Sequence, residues 1–303
     1  MLDSRQSIIV PLDGSALAEA ALPFGVAIAQ RHDADLELVH VHPIGVMAQN
    51  APMTDGRWED DRAEDMSEAV RVVGERLGRE TGVHVSVTVL RGEPAALLMQ
   101  HATDRSAALI AMTTHGRSGF SRAWFGSVTE TVAHASTVPV LVVRTGEHAI
   151  AVTAEPLFRH VLLPIEHRAS GHAALAHALT LGTPGVTRYT LLTIVSSYRA
   201  PLPSPIGSVV IEELDPIARR RDDAHTLLEQ IAVAAREQGA DIAIRVVTAD
   251  QIAPAILAEM ESRADLIVLP THMRTVMSRA ALGSVADKVL RGSNVPVLTF
   301  SVS

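Results

Sequence analysis

The chain has 303 residues, of which 47% are hydrophobic and 3% aromatic, with a formal net charge of −8 and no cysteine. That length suits two domains, each able to bury a core; the missing cysteines exclude disulfides, thiolate metal sites and cysteine nucleophiles, and the acidic balance and few aromatic rings argue against nucleic-acid binding. No N-terminal apolar run reads as a signal peptide and none reaches the roughly 18 residues that span a bilayer, so a cytoplasmic protein with no membrane partner is expected.

Ser7 to Leu12 is a short apolar run ending in Asp13-Gly14-Ser15, the pattern of a buried strand, a turn and a helix start. The helix from Ala16 to Gln30 carries Pro23, which predicts a kink. A strand over Leu36–Val41 follows, then an aperiodic Pro- and Gly-containing stretch from Pro43 to Gly56, read as a surface loop. Asp60 to Glu80 is amphipathic, with Ala63, Met66, Val70, Val73 and Leu77 on one face. Val83, Val85, Val87 and Val89 alternate with polar residues, as in a strand near a sheet edge. A helix from Pro94, a buried strand over Ala107–Met112, a helix from Ser127 to Ala135 and a strand over Val138–Val143 complete the first half.

The second half repeats the first. Phe125-Gly126-Ser127-Val128-Thr129-Glu130 is echoed by Leu282-Gly283-Ser284-Val285-Ala286-Asp287, and Val138–Leu141 by Val295–Leu298, both at an offset of 157. Ile8–Asp13 is echoed by Val161–Glu166 at an offset of 153, so a net four-residue indel separates the copies. The second set of strands falls near Val161–Ile165, Thr190–Val195, Asp241–Val247, Asp265–Leu269 and Val295–Phe300, with Thr145 to Phe158 joining the copies. Strand–helix alternation with five strands per copy implies parallel sheets with right-handed crossovers and helices on both faces.

In such a sheet ligands bind at the carboxyl ends of the strands, where strand order reverses. Three segments converge there: Pro11–Ser15, Val39–His42, and Met112–Gly119 running on to Gly126-Ser127. Ser127 and Glu130 have capping-box spacing at a helix start, where free amides and the macrodipole favour anions. Gly116 and Gly126 let backbone approach a ligand, Arg117 adds positive charge, Asp13 can accept hydrogen bonds from a ribose or base, and Val41 can flank a flat ring. The constellation suits a di- or triphosphate.

With Gly116, nine residues, Gly126 and Ser127, the chain resembles the universal stress proteins in their tandem form, whose signature is Gly, two residues, Gly, nine residues, Gly, then Ser or Thr. Thr113 stands in place of the first glycine. The resemblance implies an α/β fold of two tandem Rossmann-like domains, 1–146 and 157–303, each a five-stranded parallel sheet of order 3-2-1-4-5 with helices on both faces. It implies an ATP site, with Mg²⁺ arriving on the phosphates, formed by Pro11, Leu12, Asp13, Ser15, Val41, Met112, Thr113, Gly116, Arg117, Ser118, Gly126, Ser127 and Val128. It also implies an internal pseudo-dimer, formed by pairing of the last strands of the copies, and a homodimer of chains.

The second copy departs from the pattern: Pro270 replaces Thr113, Met273 replaces Gly116, Glu166 replaces Asp13, and His167-Arg168 replaces Gly14-Ser15. It is expected to be a degenerate site. The function expected is a nucleotide-dependent stress-response regulator; a slow ATP hydrolase and a nucleotide-free interaction scaffold are the alternatives. No Walker-type lysine loop stands in the sequence, and His115, echoed by His272, is read as structural. Despite 14 histidines there is no His-Glu-x-x-His, and His40 and His42 have no neighbouring carboxylate, so no protein-ligated metal is expected.

Overall fold

The computed structural model describes residues 6–43, 57–114, 126–144, 157–197, 216–261, 264–271 and 284–302, with backbone alone for 57–63. The first half runs β1 (Ser7–Pro11), α1 (Ala16–Glu19), α2 (Leu22–His32), β2 (Asp35–His42), α3 (Arg57–Thr81), β3 (Val85–Arg91), α4 (Pro94–Asp104), β4 (Leu109–Thr113), α5 (Ser127–Ala135) and β5 (Val140–Val143). The second runs β6 (His160–Pro164), α6 (Arg168–Leu181), β7 (Arg188–Ser196), α7 (Pro216–Glu237), β8 (Asp241–Ala249), α8 (Ile252–Glu261), β9 (Leu266–Thr271), α9 (Ser284–Gly292) and β10 (Val297–Ser301).

Among the described residues, ten strands form one sheet in the order β3-β2-β1-β4-β5-β10-β9-β6-β7-β8. Each half is thus ordered 3-2-1-4-5, with parallel neighbours. The halves join where β5 meets β10 antiparallel, Val142 opposite Val297 and Val140 opposite Thr299. Strands of the two halves therefore run in opposite directions, and their carboxyl ends point to opposite ends of the sheet. The long stretch after Pro43, most of the loop after Ser196 and the joining segment before Leu157 lie outside the described residues.

The central strands are continuous apolar runs because helices cover both faces. Alternation sends Ile8, Val10, Leu36 and Leu38 into one apolar layer and Ile9, Val39, Ile110 and Met112 into the other. Both layers take residues from both halves, so the core is continuous across the seam. The joining segment ends in a core anchor that its weak pattern concealed: Phe158 is fully buried and stacks on Phe24 of α2 at 6.1 Å. Arg31 donates to the Leu181 carbonyl and the Thr183 hydroxyl, and His32 Nε2 lies 3.0 Å from the Thr180 carbonyl, fastening α2 to the last turn of α6.

Pro23 does not kink a helix. The chain ends α1 at Glu19 and starts again at Leu22, with Pro23 in the first turn of α2. A first-turn proline removes only an amide that has no intrahelical acceptor, so it is tolerated there. Gly25 lets α2 lie close on the sheet, since a Cβ there would stand 2.7 Å from Val10 Cγ2.

One buried charge lies in the first half away from the strand ends. Glu37 of β2 is 2% exposed and accepts from the Thr88 hydroxyl (2.6 Å), with His101 Nε2 at 2.9 Å and Arg105 Nε at 3.5 Å. Burial pushes its pKa up, but the Thr88 and His101 hydrogen bonds and the charges of His101 and Arg105 outweigh it, leaving the pKa below its ordinary value of 4.5. A depressed carboxyl stabilises the fold fully above the unfolded value, and that contribution is lost as pH falls through the folded value. Glu37→Gln should therefore cost about 1.5–3 kcal/mol at neutral pH. Urea denaturation from pH 7 to pH 3 should show the gap from wild type narrowing below about pH 4.5.

Candidate functional site

β1 is flanked by β2 on one side and β4 on the other, so the loops leaving β1 and β4 diverge and open a cleft at the carboxyl end of the sheet. The cleft encloses about 310 Å³. Of the residues expected from sequence, it brings together Pro11, Leu12, Asp13, Val41, Met112, Thr113, Gly126, Ser127 and Val128. Ser15 is not in the lining; it holds Asp13. Gly116, Arg117 and Ser118 lie outside the described residues, as do His115 and Met273.

The loop after β1 is built on Gly14, whose φ of 81° is the left-handed conformation glycine accepts without strain. That turn lets Asp13 Oδ1 accept from both the Ser15 amide (2.9 Å) and the Ser15 hydroxyl (2.6 Å). Ser15 is the N-cap of α1, its hydroxyl accepting from the Ala18 amide. Behind the loop, His40 Nδ1 lies 2.7 Å from the Leu12 carbonyl. A carbonyl only accepts, so Nδ1 carries the proton. In the second half the Thr193 hydroxyl makes the same bond to the Ile165 carbonyl at 2.9 Å. The position thus serves to hold the loop, whichever donor fills it.

The opposite wall is the start of α5, and here the capping-box reading fails. Gly126 is the N-cap, Ser127 is already the first helical residue, and no side chain caps the helix. Glu130 does not reach back; Arg291 of α9 draws it across the seam at 2.7 Å. The first intrahelical bond runs from the Glu130 amide to the Gly126 carbonyl, so the amides of Ser127, Val128 and Thr129 precede the ladder. These donors and the macrodipole give the wall a positive edge. Two bonds fix it to β4: the Gly126 amide donates to the Thr114 carbonyl and the Thr129 hydroxyl to the Thr113 carbonyl, both at 2.8 Å. Thr113, in place of the signature glycine, ends β4 at 5% exposure.

The lining also takes Val39 and His40 from the converging segment at the end of β2, and sequence reasoning missed Ala18, Pro43, Pro94, Leu98 and Thr129. Pro94 and Leu98 come from α4, whose N-terminus is fixed by Glu93 accepting from the Ala95 and Ala96 amides. Nothing local in sequence marks α4 as a wall, because its place depends on packing. Among the described lining residues the titratable side chains are Asp13 and His40; the rest of the cleft is apolar apart from backbone amides and the hydroxyls of Thr113, Ser127 and Thr129.

The second half lacks several of these features. Glu166, at the Asp13 position, is 70% exposed and turned to His167 at 3.5 Å. His167 is the N-cap of α6 but makes no side-chain cap bond. Ala286 stands where Thr129 ties helix to strand in the first half.

A doubled, doubly wound α/β sheet with a cleft at the switch point of its first half defines the class of protein. The sequence profile of the universal stress protein family matches residues 4–144 and again 157–301. The chain belongs to that family. A universal stress protein of Mycolicibacterium smegmatis is 27% identical over 301 residues, covering 97% of each chain. One of Mycobacterium tuberculosis is 25% identical over 299 residues, covering 97% of this chain and 96% of its own. The crystal structure of a universal stress protein from Archaeoglobus fulgidus aligns over 100% of both chains with a TM-score of 0.73 at 19% identity. That likeness concerns the fold. Among the described residues no helix is long and apolar enough to cross a membrane.

The Asp13–Ser15 loop predicts an asymmetric mutational response. Asp13→Ala should lower stability by about 1 kcal/mol in urea denaturation, the cost of losing a cap-type bond. Glu166→Ala, at an exposed side chain, should cost less than about 0.5 kcal/mol.

Proposed function

We propose that this protein binds ATP in the cleft of its first half and acts as a nucleotide-dependent stress-response regulator. The observation that carries the reading is the face of three leading amides of α5 opposite Asp13, across an apolar cleft at the strand-order switch point. Amides of this kind grip phosphoryl oxygens, and a carboxylate on the far side accepts from ribose hydroxyls. Val41, Leu98 and Met112 supply an apolar bed for a base. Gly116, Arg117 and Ser118 would extend the phosphate grip, and Mg²⁺ would arrive with the phosphates.

On this reading the domains are 1–146 and 157–303, and the second is degenerate because Glu166 and Ala286 replace the groups that position the loop and helix. The protein is cytoplasmic, and two chains associate as a homodimer. Since β5 and β10 already pair within the chain, that association uses another surface.

Isothermal titration of nucleotide-free protein with ATP should show one site per chain. Val41→Trp, which fills the cleft from a half-buried position, should abolish the heat while circular dichroism stays that of wild type. Ile194→Trp, at the matching position of β7, should leave binding unchanged. Absence of heat at millimolar ATP in the wild type, or equal loss in both variants, would refute the assignment.

A further inference from the structure

We propose that the seam between the halves carries a second site, for a divalent cation of the zinc type, formed by Glu130 and His134 of α5 and Asp287 of α9. One donor atom from each lies within 4.8 Å of the others, and all three residues are partly buried. An imidazole nitrogen and two carboxylate oxygens at that spread can close on an ion at about 2.0–2.2 Å with small side-chain movements. The donor set is one that borderline divalent ions accept.

Acidic groups gather at protein surfaces without binding any ion, so three further features bear the argument. His134 Nε2 is buried and has no hydrogen-bond partner among the described residues. Each carboxylate is engaged through a single oxygen: Arg291 Nη2 donates to Glu130 Oε1 at 2.7 Å, and Arg291 Nε to Asp287 Oδ1 at 2.9 Å. Finally, the cluster is a pseudo-symmetric pair of pairs. At the repeat offset of 157, Glu130 matches Asp287 and His134 matches Arg291, so each helix presents a carboxylate and a nitrogen-bearing side chain one turn apart.

Three of those four positions are metal ligands, and the fourth holds a cation already. Arg291 bridges the two carboxylates across the seam, which shows the place is formed to hold positive charge between acids. Its side chain is 36% exposed, so the guanidinium can turn out to water when an ion enters. The site does not depend on nucleotide binding: its ligands come from the seam, and its test needs no ATP.

The full chain, stripped with chelator and dialysed, should be titrated with Zn²⁺ by calorimetry and with Co²⁺ by visible absorption. The expected result is one ion per chain, d–d bands for Co²⁺, and a raised melting temperature with Zn²⁺. His134→Ala should weaken binding by at least the roughly tenfold that loss of even an outer partner costs. Arg291→Gln should bind more tightly than wild type, because it removes the competing cation while keeping the three ligands. A merely structural ion pair would leave metal uptake indifferent to both changes. No saturable uptake by the wild type, uptake confined to Arg291→Gln, or uptake unaltered in His134→Ala would each overturn the proposal.

Discussion

The antiparallel pairing of β5 with β10 is the constraint from which the rest follows. Each half alone would end in a strand with an apolar face and an open row of amides and carbonyls, and such edges are unstable against pairing. Here the two edges satisfy each other inside one chain, with Leu141 opposite Leu298 at the centre of the ladder. The Thr299 hydroxyl reaches the Ala133 carbonyl, and Arg144 donates to the carbonyl of Arg291, so the seam is tied to the helices α5 and α9 on one face of the sheet as well as within it. Phe158 against Phe24 and Arg31 against the end of α6 repeat the tie on the other face. Two repeats become a single layered core, and the open edges move out to β3 and β8.

That arrangement also sets what the two halves can do. Opposed strand directions put their carboxyl ends far apart, so the second half cannot line the cleft of the first. It keeps groups that hold the sheet and differs at residues that position the loop and helix in the first half. The bond from β7 to the loop after β6 persists with Thr193 in place of His40. The side-chain cap that Ser15 gives α1 has no counterpart at α6, and the hydroxyl tie of Thr129 has none at α9, as His167 and Ala286 show. A helix that has lost a side-chain tie to its strand is a poorer place to hold an anion in fixed geometry.

Most of the strands were readable because a buried parallel strand is a short apolar run, and the doubling was readable because the two copies share Gly-Ser-Val and Val-Pro-Val-Leu at one offset. The errors are informative. Ser127-x-x-Glu130 has the spacing of a capping box, but Arg291, 161 residues away, offers Glu130 a charged partner that the helix start does not. The cap falls at Gly126, so Glu130 stands one residue beyond the position a capping box needs, and its carboxylate pairs with the guanidinium instead. Pro23 starts a helix because the chain turns at Ala20 and Ala21, which no local pattern announces. Pro94 and Leu98 reach the cleft only because α4 packs over β2, and Glu130, His134 and Asp287 meet only because the seam exists. Local patterns were open to inspection; contacts made by the fold were not.

Native-state amide hydrogen exchange tests the central claim most directly. If the seam joins one cooperative core, the ladder amides of Val140–Val143 and Val297–Ser301 will be protected to the same free energy as those of β1 and β6. Exchange at the faster rate of the outer strands, with Val140–Val143 opening while β1 stays closed, would show two domains merely resting against each other and would contradict the account.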